Sequence, residues 1–234
     1  MKLTIITSLY RSEKFLPSFL KEIKKVHCEM KGDNISFEHL LIFNDQTETE
    51  KRIISNYKNP NIKISNVPRE NLYSTWNRGI RESKGDNICF WNVDDQRNSE
   101  SIIDGISLLE NDNLIYFPFI YIRYIKIFNI PLPVKIKKIS PPEFNKEEFG
   151  QSMQCGPFFM FTRKFFEEVG EFNENFRIAG DFDWCIRASK IGSFKKSKIT
   201  GGTFINNGNS LSGSKDNRHI EENAKIYQEY GIKK

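Results

Sequence analysis

The sequence predicts an α/β fold, with a mostly parallel central sheet covered by helices on both faces. Short apolar segments alternate with amphipathic segments through residues 3–111, which is typical of a parallel sheet. Several apolar segments end in polar clusters, as expected where parallel strands meet a ligand at their carboxyl ends. The 234 residues, 38% of them hydrophobic, can form one large domain with a packed core.

The first half of the chain predicts four strands and four helices in alternation. The strands are short, continuous and rich in β-branched residues: 3–9, 39–45, 61–67 and 87–93. The helices repeat apolar residues at helical spacing: 12–25, 47–57, 72–83 and 99–109. Pro17 suits a first helical turn. Thr47 and Glu50 form a capping-box pattern, and Ser99 is the predicted N-cap of the fourth helix.

The second half of the chain is less regular. Residues 114–134 are apolar, but prolines and the charges of Arg123 and Lys126 interrupt them, so we expect buried strands and a loop rather than a membrane-spanning helix. Thr162 is a predicted helix cap. The remaining predicted elements are a helix at 179–192, a strand entering a polar loop at 201–214, and an amphipathic helix holding Ile220, Ala224 and Tyr227.

Composition narrows the classes of function. The net charge of +5 favours anionic ligands, but no DNA- or RNA-binding motif is present, so nucleic acid is not an expected partner. The four cysteines are scattered without a CxxC pair or Cys/His cluster. A zinc site is therefore not expected, and reduced thiols suit a cytoplasmic protein. The opening "MKLTIITSLY" does not resemble a signal peptide.

Polar pairs end three predicted strands: Thr7-Ser8, Asn44-Asp45 and Asp94-Asp95. The carboxyl ends of parallel strands share one edge of a sheet, so the three pairs should converge. Asp94-Asp95 could hold Mg²⁺ or Mn²⁺ together with substrate phosphate oxygens, since a cation relieves the repulsion between adjacent carboxylates. The alternative is that these residues only form turns and helix caps.

Two predicted helices carry further candidates. Asn77 and Arg78 lie on the helix before the fourth strand, where a basic side chain could pair with a diphosphate or simply face solvent. Asp181 and Asp183 lie near the start of a helix, where acids are stabilised by the helix dipole. Asp183 can also pair with Arg187 four residues later. Asp181 faces the same side as small residues, behind Gly180, and could serve as a general base.

With these residues in place, the chain resembles a family 2 glycosyltransferase with the GT-A fold, a Rossmann-like α/β architecture with a small acceptor-side subregion. The resemblance runs from residue 3 to about residue 215. It rests on four segments in the family's order: 3–23, 40–50, 71–95 and 156–188. It implies one domain over 1–234, with a donor half at 1–111, an acceptor and base half at 112–215, and a C-terminal helix at 216–234.

The resemblance also implies roles at the donor site. Asp45 would bind the nucleobase, with Thr7 and Tyr10 lining that pocket. Asp94 corresponds to the last aspartate of the family's Asp-x-Asp motif and would hold Mn²⁺ or Mg²⁺ and the diphosphate, with Asp95 beside it. Asn44 stands in place of the first acid of the family's nucleobase-binding pair.

Asp181 corresponds to the family's catalytic base, with Asp183, Trp184 and Asn207 expected to support the acceptor side. Three residues depart from the family pattern. Asn92 replaces the first acid of Asp-x-Asp, Gly180 replaces the glutamate before the base, and Asn207 stands where many members have a histidine. The first and third departures suggest looser metal dependence.

The implied activity is inverting transfer of a sugar from a nucleotide-diphosphosugar, with a UDP-sugar as the expected donor. The acceptor would be a glycan or a lipid-linked hydroxyl, in polysaccharide or glycoconjugate synthesis. The protein would be cytoplasmic, and Lys135, Lys137 and Lys138 leave room for peripheral membrane contact. The alternative is a non-catalytic nucleotide-sugar or glycan-binding protein on the same fold. A nucleotidyltransferase is less favoured, because "TSLYRSEKF" lacks a glycine-rich phosphate loop.

Overall fold

The computed structural model describes residues 2–32, 35–127, 130–206 and 217–232. The strands in these ranges are β1 (Lys2–Leu9), β2 (Ser36–Asn44), β3 (Ile62–Val67), β4 (Asn87–Phe90), β5 (Gln96–Arg97), β6 (Leu114–Tyr116), β7 (Phe119–Ile127), β8 (Ile130–Ile139), β9 (Phe159–Thr162), β10 (Phe194–Lys196) and β11 (Gly202–Asn206). The helices are α1 (Leu16–Gly32), α2 (Glu48–Ser55), α3 (Leu72–Glu82), α4 (Ser99–Leu108), α5 (Arg163–Val169), α6 (Gly180–Ile191) and α7 (Arg218–Glu229).

Seven strands form the large sheet, in the order β10-β6-β9-β4-β1-β2-β3. The pairs β4-β1, β1-β2, β2-β3 and β10-β6 are parallel. Only β9 runs the other way, antiparallel to both β4 and β6. The predicted mostly parallel sheet is therefore confirmed.

Helices cover both faces of this sheet. On one face, Phe19 of α1, Ile54 of α2 and Ile102 of α4 pack in one hydrophobic cluster with the strands. On the other face, Trp76 of α3 and Trp184 of α6 pack in a second cluster, together with residues of α5 and α7. Apolar strand residues point alternately into the two clusters, which explains their continuous hydrophobic runs.

The apolar region after α4 forms strands, as predicted, but they are only partly buried: Leu114–Tyr116 is buried, whereas Leu132 and Val134 are exposed. β7 and β8 pair with each other and, through β11 and β5, make a four-stranded sheet in the order β5-β11-β7-β8. This smaller sheet is the subregion expected beside the central sheet. None of the helices in the described residues has the length and apolar character needed to cross a bilayer.

Local capping signals in the sequence were accurate in two helices. Thr47 Oγ1 accepts the N–H of Glu50 at 3.2 Å, and the Glu50 carboxylate accepts the N–H of Thr47 at 3.0 Å. Both bonds of the predicted capping box are therefore formed at α2. Thr162 caps α5 by accepting the N–H of Phe165 at 3.2 Å.

Two predictions about helices were wrong, one about an N-cap and one about a buried face. The N-cap of α4 is Asn98, which accepts the N–H of Glu100 at 3.0 Å, and Ser99 is the first helical residue. Both residue types cap well, so the choice depended on where the preceding β5 ends. In α7 the buried apolar residue is Ile226, whereas the predicted Ile220 is 57% exposed, because the helix packs on a face rotated from the predicted one.

A chain of hydrogen bonds crosses the core beneath β1 and β2. Asn59 pairs with His27 Nδ1 at 3.0 Å, and His27 Nε2 pairs with His39 Nδ1 at 3.2 Å. His39 Nε2 pairs with Thr7 Oγ1 at 2.8 Å, and that hydroxyl donates to the Trp91 carbonyl at 2.6 Å. Both histidines are buried. When both rings are neutral, each group can donate a hydrogen bond to the next, from the Asn59 amide to the Trp91 carbonyl, so that every hydrogen bond of the chain is formed.

Candidate active site at the carboxyl edge of the large sheet

Two of the three predicted polar pairs, Asn44-Asp45 and Asp94-Asp95, lie at one edge of the large sheet. The strands β4, β1 and β2 are adjacent and parallel, so their carboxyl ends point the same way. Asp45 follows β2, residues 92–95 follow β4, and Tyr10 follows β1. The Asp45 carboxylate, the acidic loop at 92–95 and the Tyr10 side chain therefore lie at the same edge of the sheet.

Asp45 occupies a left-handed turn, with a φ angle of 47°. Its backbone N–H donates to the Val67 carbonyl at 3.0 Å, and its carboxylate accepts the N–H of Arg69 at 3.1 Å. Asp is among the residues that tolerate this backbone conformation best. The turn holds the Asp45 side chain at the surface, where a ligand can reach it.

Arg69 connects Asp45 with Tyr10. The Arg69 guanidinium lies 4.5 Å from the centroid of the Tyr10 ring, which is a cation–π contact. Tyr10 is 42% exposed. An exposed aromatic face beside a carboxylate offers both the stacking and the hydrogen bonding that a nucleobase requires. Sequence reasoning missed Arg69, because a lone arginine after a strand carries no motif.

Asn44 has a structural role beside this corner. It is buried, and its side-chain oxygen accepts the N–H of Glu70 at 3.1 Å. The same side chain exchanges hydrogen bonds with the Thr75 hydroxyl at 3.3 Å. A neutral amide can both donate and accept here, which a carboxylate could not. Asn44, which replaces the family's acid, therefore links the loop after β3 to α3.

Thr7 was expected to line the nucleobase pocket, but its side chain lies in the core. Thr7 is completely buried, and its hydroxyl is used by His39 and by the Trp91 carbonyl. This places Thr7 below the edge, where it supports the strand that leads to Asn92. Direct contact between Thr7 and a donor stays a prediction, and the burial of the Thr7 side chain does not favour it.

Asn77 and Arg78 were expected near a diphosphate, and both have protein partners. The buried Asn77 amide donates to the Phe172 carbonyl and to Glu174, both at 2.9 Å, and its oxygen accepts the N–H of Phe172 at 3.0 Å. Arg78 makes a bidentate pair with Glu70, with a shortest distance of 2.9 Å. Asn77 thus joins α3 to the segment after α5, and its role in donor binding stays a prediction.

The acidic loop after β4 places one carboxylate deep and one near the surface. Asp95 is only 4% exposed; its carboxylate accepts the N–H of Ile205 at 3.0 Å and the Asn92 amide at 3.2 Å. Burial and the neighbouring Asp94 charge raise the pKa of Asp95 to about 8. Burial also raises the pKa of the partly exposed Asp94. Asn92 replaces a family acid, and here it is a hydrogen-bond donor to Asp95.

Arg97 lies beneath this pair and was not found from the sequence. It is buried, donates to the Phe90 carbonyl at 3.2 Å, and lies between the rings of Phe117 and Phe158, 5.7 and 5.3 Å from their centroids. Its positive charge lowers the pKa of Asp95 and so opposes the effect of burial. A cation under the loop therefore favours the ionised form of a carboxylate that burial disfavours.

The Asp94-Asp95 pair fits a divalent cation in chemical type. Two adjacent carboxylates, one of them with a strongly raised pKa, are stabilised in their ionised forms by a nearby positive charge. Mg²⁺ and Mn²⁺ prefer such oxygen donors and commonly take their other ligands from water and substrate phosphates. In the part of the chain that the structure describes, no group of three or more His, Cys, Asp or Glu side chains forms a complete protein cage.

Asp181 lies in the first turn of α6. One carboxylate oxygen accepts the N–H of Phe182 at 2.9 Å and contacts the Tyr73 hydroxyl at 3.1 Å. Burial raises the pKa of Asp181 to about 6, and these hydrogen bonds keep it from rising further. A carboxyl group with this pKa is ionised at neutral pH and basic enough to accept a proton from a hydroxyl during a reaction.

Tyr73 occupies the space next to Gly180. A Cβ atom at position 180 would lie 2.7 Å from ring carbons of Tyr73, so the ring and any larger side chain at 180 exclude one another. The Tyr73 hydroxyl also lies 2.5 Å from the Ile178 carbonyl. Glycine at the family's glutamate position therefore makes room for a tyrosine from α3 that contacts the neighbouring Asp181.

Glu222 of α7 fixes the backbone that leads into α6. Its buried carboxylate accepts the N–H groups of Arg177, Ile178 and Ala179, at 3.0, 2.8 and 2.9 Å. These bonds order the loop directly before Asp181. Glu222 was missed from the sequence because an acid in an amphipathic helix is expected at the solvent face.

The residues expected to support the acceptor side are structural where the structure describes them. Asp183 is buried, pairs with Arg187 at 3.0 Å and accepts the Tyr230 hydroxyl at 2.7 Å. Trp184 is buried and donates to the Gly170 carbonyl at 2.8 Å. Asn207 lies outside the described residues. Contact between any of these residues and an acceptor stays a prediction.

Helix α3 connects the two halves of the site. Thr75 in its first turn binds Asn44 beside the Asp45 corner, and Tyr73 in the same turn contacts Asp181. Two surface clefts among the described residues, of about 210 and 490 Å³, lie outside this edge, between α1 and α2 and around the turn after α4. Neither cleft includes a residue of the predicted site.

Comparison with known proteins gives consistent matches. The family model described as glycosyl transferase family 2 matches residues 4–170. A Haemophilus influenzae protein described as an uncharacterized glycosyltransferase is 24% identical over 203 residues, covering 84% of this chain and 65% of that protein. This chain therefore spans just under two thirds of that relative.

Solved structures with the same fold include S. aureus TarS 1-349 in complex with UDP-GlcNAc. It has a TM-score of 0.73 and 16% identity, and the match covers 99% of this chain and 66% of that one. Another crystal structure of S. aureus TarS 1-349 gives a TM-score of 0.66 at 17% identity, and the match covers 88% of this chain and 60% of that one. At this identity the likeness shows the fold, which is the GT-A architecture expected from the sequence.

Proposed function

This chain belongs to glycosyl transferase family 2, and from this premise we propose that it transfers a sugar from a nucleotide-diphosphosugar to a hydroxyl acceptor with inversion at the anomeric carbon. The observation that carries the proposal is Asp181, a carboxylate with a pKa of about 6 at the start of α6, beside the sheet edge that binds ligands in such folds. The acceptor is proposed to be a glycan or a lipid-linked hydroxyl in polysaccharide or glycoconjugate synthesis.

The donor nucleotide would bind at the corner formed by Tyr10, Asp45 and Arg69. The Tyr10 ring can stack on the base, and the Asp45 carboxylate can accept hydrogen bonds from the base or ribose. A UDP-sugar is the proposed donor, and the fold shared with a protein crystallised with UDP-GlcNAc supports this choice. The identity of the sugar is open to a direct screen.

Asp94 and Asp95 would hold Mn²⁺ or Mg²⁺ at the diphosphate. When bound, the cation neutralises the negative charge of the leaving nucleotide diphosphate. Asn92 orients the Asp95 carboxylate, and Arg97 stabilises its charge from below. The Asp95 carboxylate thereby has a fixed position before the donor arrives, which favours the reacting geometry.

Asp181 would act as the general base. Its carboxylate accepts the proton of the acceptor hydroxyl as the acceptor oxygen forms a bond to the anomeric carbon. The bond from that carbon to the diphosphate oxygen breaks on the opposite face, and the nucleoside diphosphate leaves with the bonding electrons. Glu222 and Tyr73 hold the base in position through the loop backbone and the carboxylate, respectively.

A screen of nucleotide sugars with Mn²⁺ tests the donor half of the proposal. A bound donor should raise the melting temperature, because ligand binding stabilises the folded state. The donor that binds should then release nucleotide diphosphate in the presence of an acceptor. Binding without any release, over a range of acceptors, would favour the alternative of a non-catalytic nucleotide-sugar or glycan-binding protein.

Replacing Asp94 by Ala should weaken donor binding in the presence of Mn²⁺ by roughly 10- to 100-fold, the range seen when metal sites lose supporting groups. Titration calorimetry with the donor identified in the screen measures the change. Asp86→Asn is a matched control, since Asp86 precedes β4 and Asp94 follows it. Equal affinity of Asp94→Ala and wild type would remove Asp94 from the metal-diphosphate site.

Replacing Tyr73 by Phe should shift the acidic limb of the pH–rate profile to higher pH. The Tyr73 hydroxyl lowers the pKa of Asp181, so its removal raises the pH needed to ionise the base. Tyr230→Phe is the matched control, because it removes a hydroxyl from Asp183 instead. If both variants lose stability but keep the wild-type midpoint, Tyr73 only packs against Gly180.

We propose that the protein acts in the cytoplasm, at the inner face of the membrane where lipid-linked acceptors are presented. All four cysteines are free thiols, three of them buried, in keeping with a reducing compartment.

A further inference from the structure

The hairpin formed by β7 and β8 exposes an unusual amount of apolar surface. Eight large apolar side chains are exposed among the described residues, and four of them lie on this hairpin. They are Ile125, Leu132, Val134 and Ile136, exposed by 39, 43, 50 and 68%. Isolated exposed apolar residues are ordinary, but a group on one element indicates an interaction surface.

The same hairpin carries the net charge of the chain. Residues 113–142 contain five basic residues and no Asp or Glu, and their charge of +5 equals that of the whole protein. The other residues contain 30 basic and 30 acidic side chains and are neutral in sum. The basic residues of the segment are Arg123, Lys126, Lys135, Lys137 and Lys138.

Within the described residues, only one face of the hairpin packs against the core. On one face of the hairpin, Phe119, Tyr121 and Ile139 pack against the hydrophobic cluster that contains α1. The opposite face presents Ile136 beside its cross-strand partner Ile122. β8 is the last strand of the small sheet, so within the described residues no strand pairs with its outer edge.

The pattern of side chains along β8 narrows the kind of partner. Leu132, Val134 and Ile136 are interspersed with Lys135 and Lys137, and all five are exposed. Nucleic acid offers phosphate for the lysines but no apolar phase for the aliphatic side chains. A second copy paired along β8 would bring lysines from two chains together, and like charges across strands are destabilising.

We propose that the β7–β8 hairpin docks on an anionic lipid bilayer. Its lysines contact the lipid headgroups, and its exposed aliphatic side chains enter the boundary between headgroups and acyl chains. Docking would present the smaller sheet, on the second half of the chain, to the membrane surface. This inference does not depend on the proposed sugar transfer, because none of the exposed hairpin residues is placed in the proposed donor, metal or base site.

Co-sedimentation of the 234-residue chain with lipid vesicles tests the proposal. Vesicles of equal parts phosphatidylcholine and phosphatidylglycerol should bind the protein, and vesicles of phosphatidylcholine alone should bind it far less. Salt at about 1 M should release most of the protein, since the Debye length falls to about 3 Å. Failure to bind the anionic vesicles, or equal binding to both kinds, would overturn the proposal.

Two variants separate the hairpin from a general effect of charge. Serine at Lys135, Lys137 and Lys138 together should weaken vesicle binding by about 100-fold, since each basic residue near the surface contributes about fivefold. The matched control places serine at three exposed lysines of α1: Lys21, Lys24 and Lys25. Equal losses in the two triple variants would show non-specific attraction and overturn the proposal.

A third variant tests insertion of the aliphatic side chains. Ile136→Ser leaves the charge unchanged and should weaken binding several-fold, because less apolar surface leaves water. All substituted side chains are exposed, and equal melting temperatures would establish that each variant folds. Unchanged binding by Ile136→Ser would overturn insertion. Self-association that the β8 variants abolish, without vesicle binding, would assign the edge to a second copy instead.

Discussion

Replacing Asp181 by Asn should abolish sugar transfer while donor binding survives. The amide keeps the size of the carboxylate but cannot accept the proton of the acceptor hydroxyl. General-base catalysis typically contributes 10²- to 10⁴-fold, so we expect a loss of at least about 100-fold in the rate of transfer. Product formation at saturating donor and acceptor measures the rate, and calorimetry with the donor alone measures binding.

The pH dependence of the wild type follows from the same carboxylate. A pKa of about 6 means that Asp181 is ionised above pH 6 and protonated below it. The rate should therefore be level at neutral pH and fall about tenfold for each pH unit below about 6. Asp112→Asn, a substitution in the turn after α4, should reproduce the wild-type profile.

Two results would contradict this role for Asp181. Full turnover by Asp181→Asn would mean that another group accepts the proton or that none is needed. Loss of both donor binding and turnover would mean that the substitution damages the donor site or the fold. A melting temperature close to that of the wild type distinguishes these cases from unfolding.

The two buried histidines should contribute less to the stability of the protein in weak acid than at neutral pH. Burial lowers the pKa of His27 from 6.5 to about 4 and that of His39 well below 6.5. Unfolded histidines take up protons as the pH falls through 6.5, whereas the folded ones resist. The contribution of His27 to stability is thus complete above about pH 6.5 and is lost as the pH falls towards 4, and that of His39 also begins to fall below about pH 6.5.

For His27 alone, the loss between about pH 7.5 and about pH 5 amounts to roughly 2 kcal/mol. Denaturant unfolding at the two pH values measures it. In His27→Gln this part of the pH dependence should vanish, because Gln accepts and donates hydrogen bonds without titrating. Asp95 and Asp181 have raised pKa values and act in the opposite direction, but they are common to both proteins and cancel in the comparison.

His219→Gln is the matched control, since His219 is the remaining histidine and lies on α7, outside the hydrogen-bonded chain. Its pH dependence should equal that of the wild type. If His27→Gln also kept the full wild-type dependence, His27 would not contribute to the pH dependence of stability.

Sequence patterns were sufficient for the fold and for the residues at strand ends. Asp45 and Asp94 could be placed at one edge because strand alternation fixes where parallel strands end. Asp181 could be proposed from its position in a first helical turn behind a glycine. Each of these inferences uses information within a few residues of the site.

Contacts between distant parts of the chain could not be predicted in the same way. Tyr73 touches Asp181 across 108 residues of sequence, and Glu222 binds Ile178 across 44. No periodicity encodes such pairs. For the same reason the hydrogen bond of Asn77 to the Phe172 carbonyl, which links α3 to the segment after α5, could not be found from its motif. Only the three-dimensional structure shows whether a polar side chain near a site is free to contact a ligand or is bonded to other parts of the protein.

The reversed strand β9 has a consequence for the order of folding. It lies between β4 and β6, with Asn87 opposite Thr162, so the two halves of the large sheet meet only through residues 159–162. During synthesis, a nascent chain that ends before β9 leaves one edge of β4 unpaired, and an open edge invites pairing with other chains. Such long-range pairing also forms slowly. The loop that carries Asp94 and Asp95 should therefore be among the last parts of the sheet to become ordered.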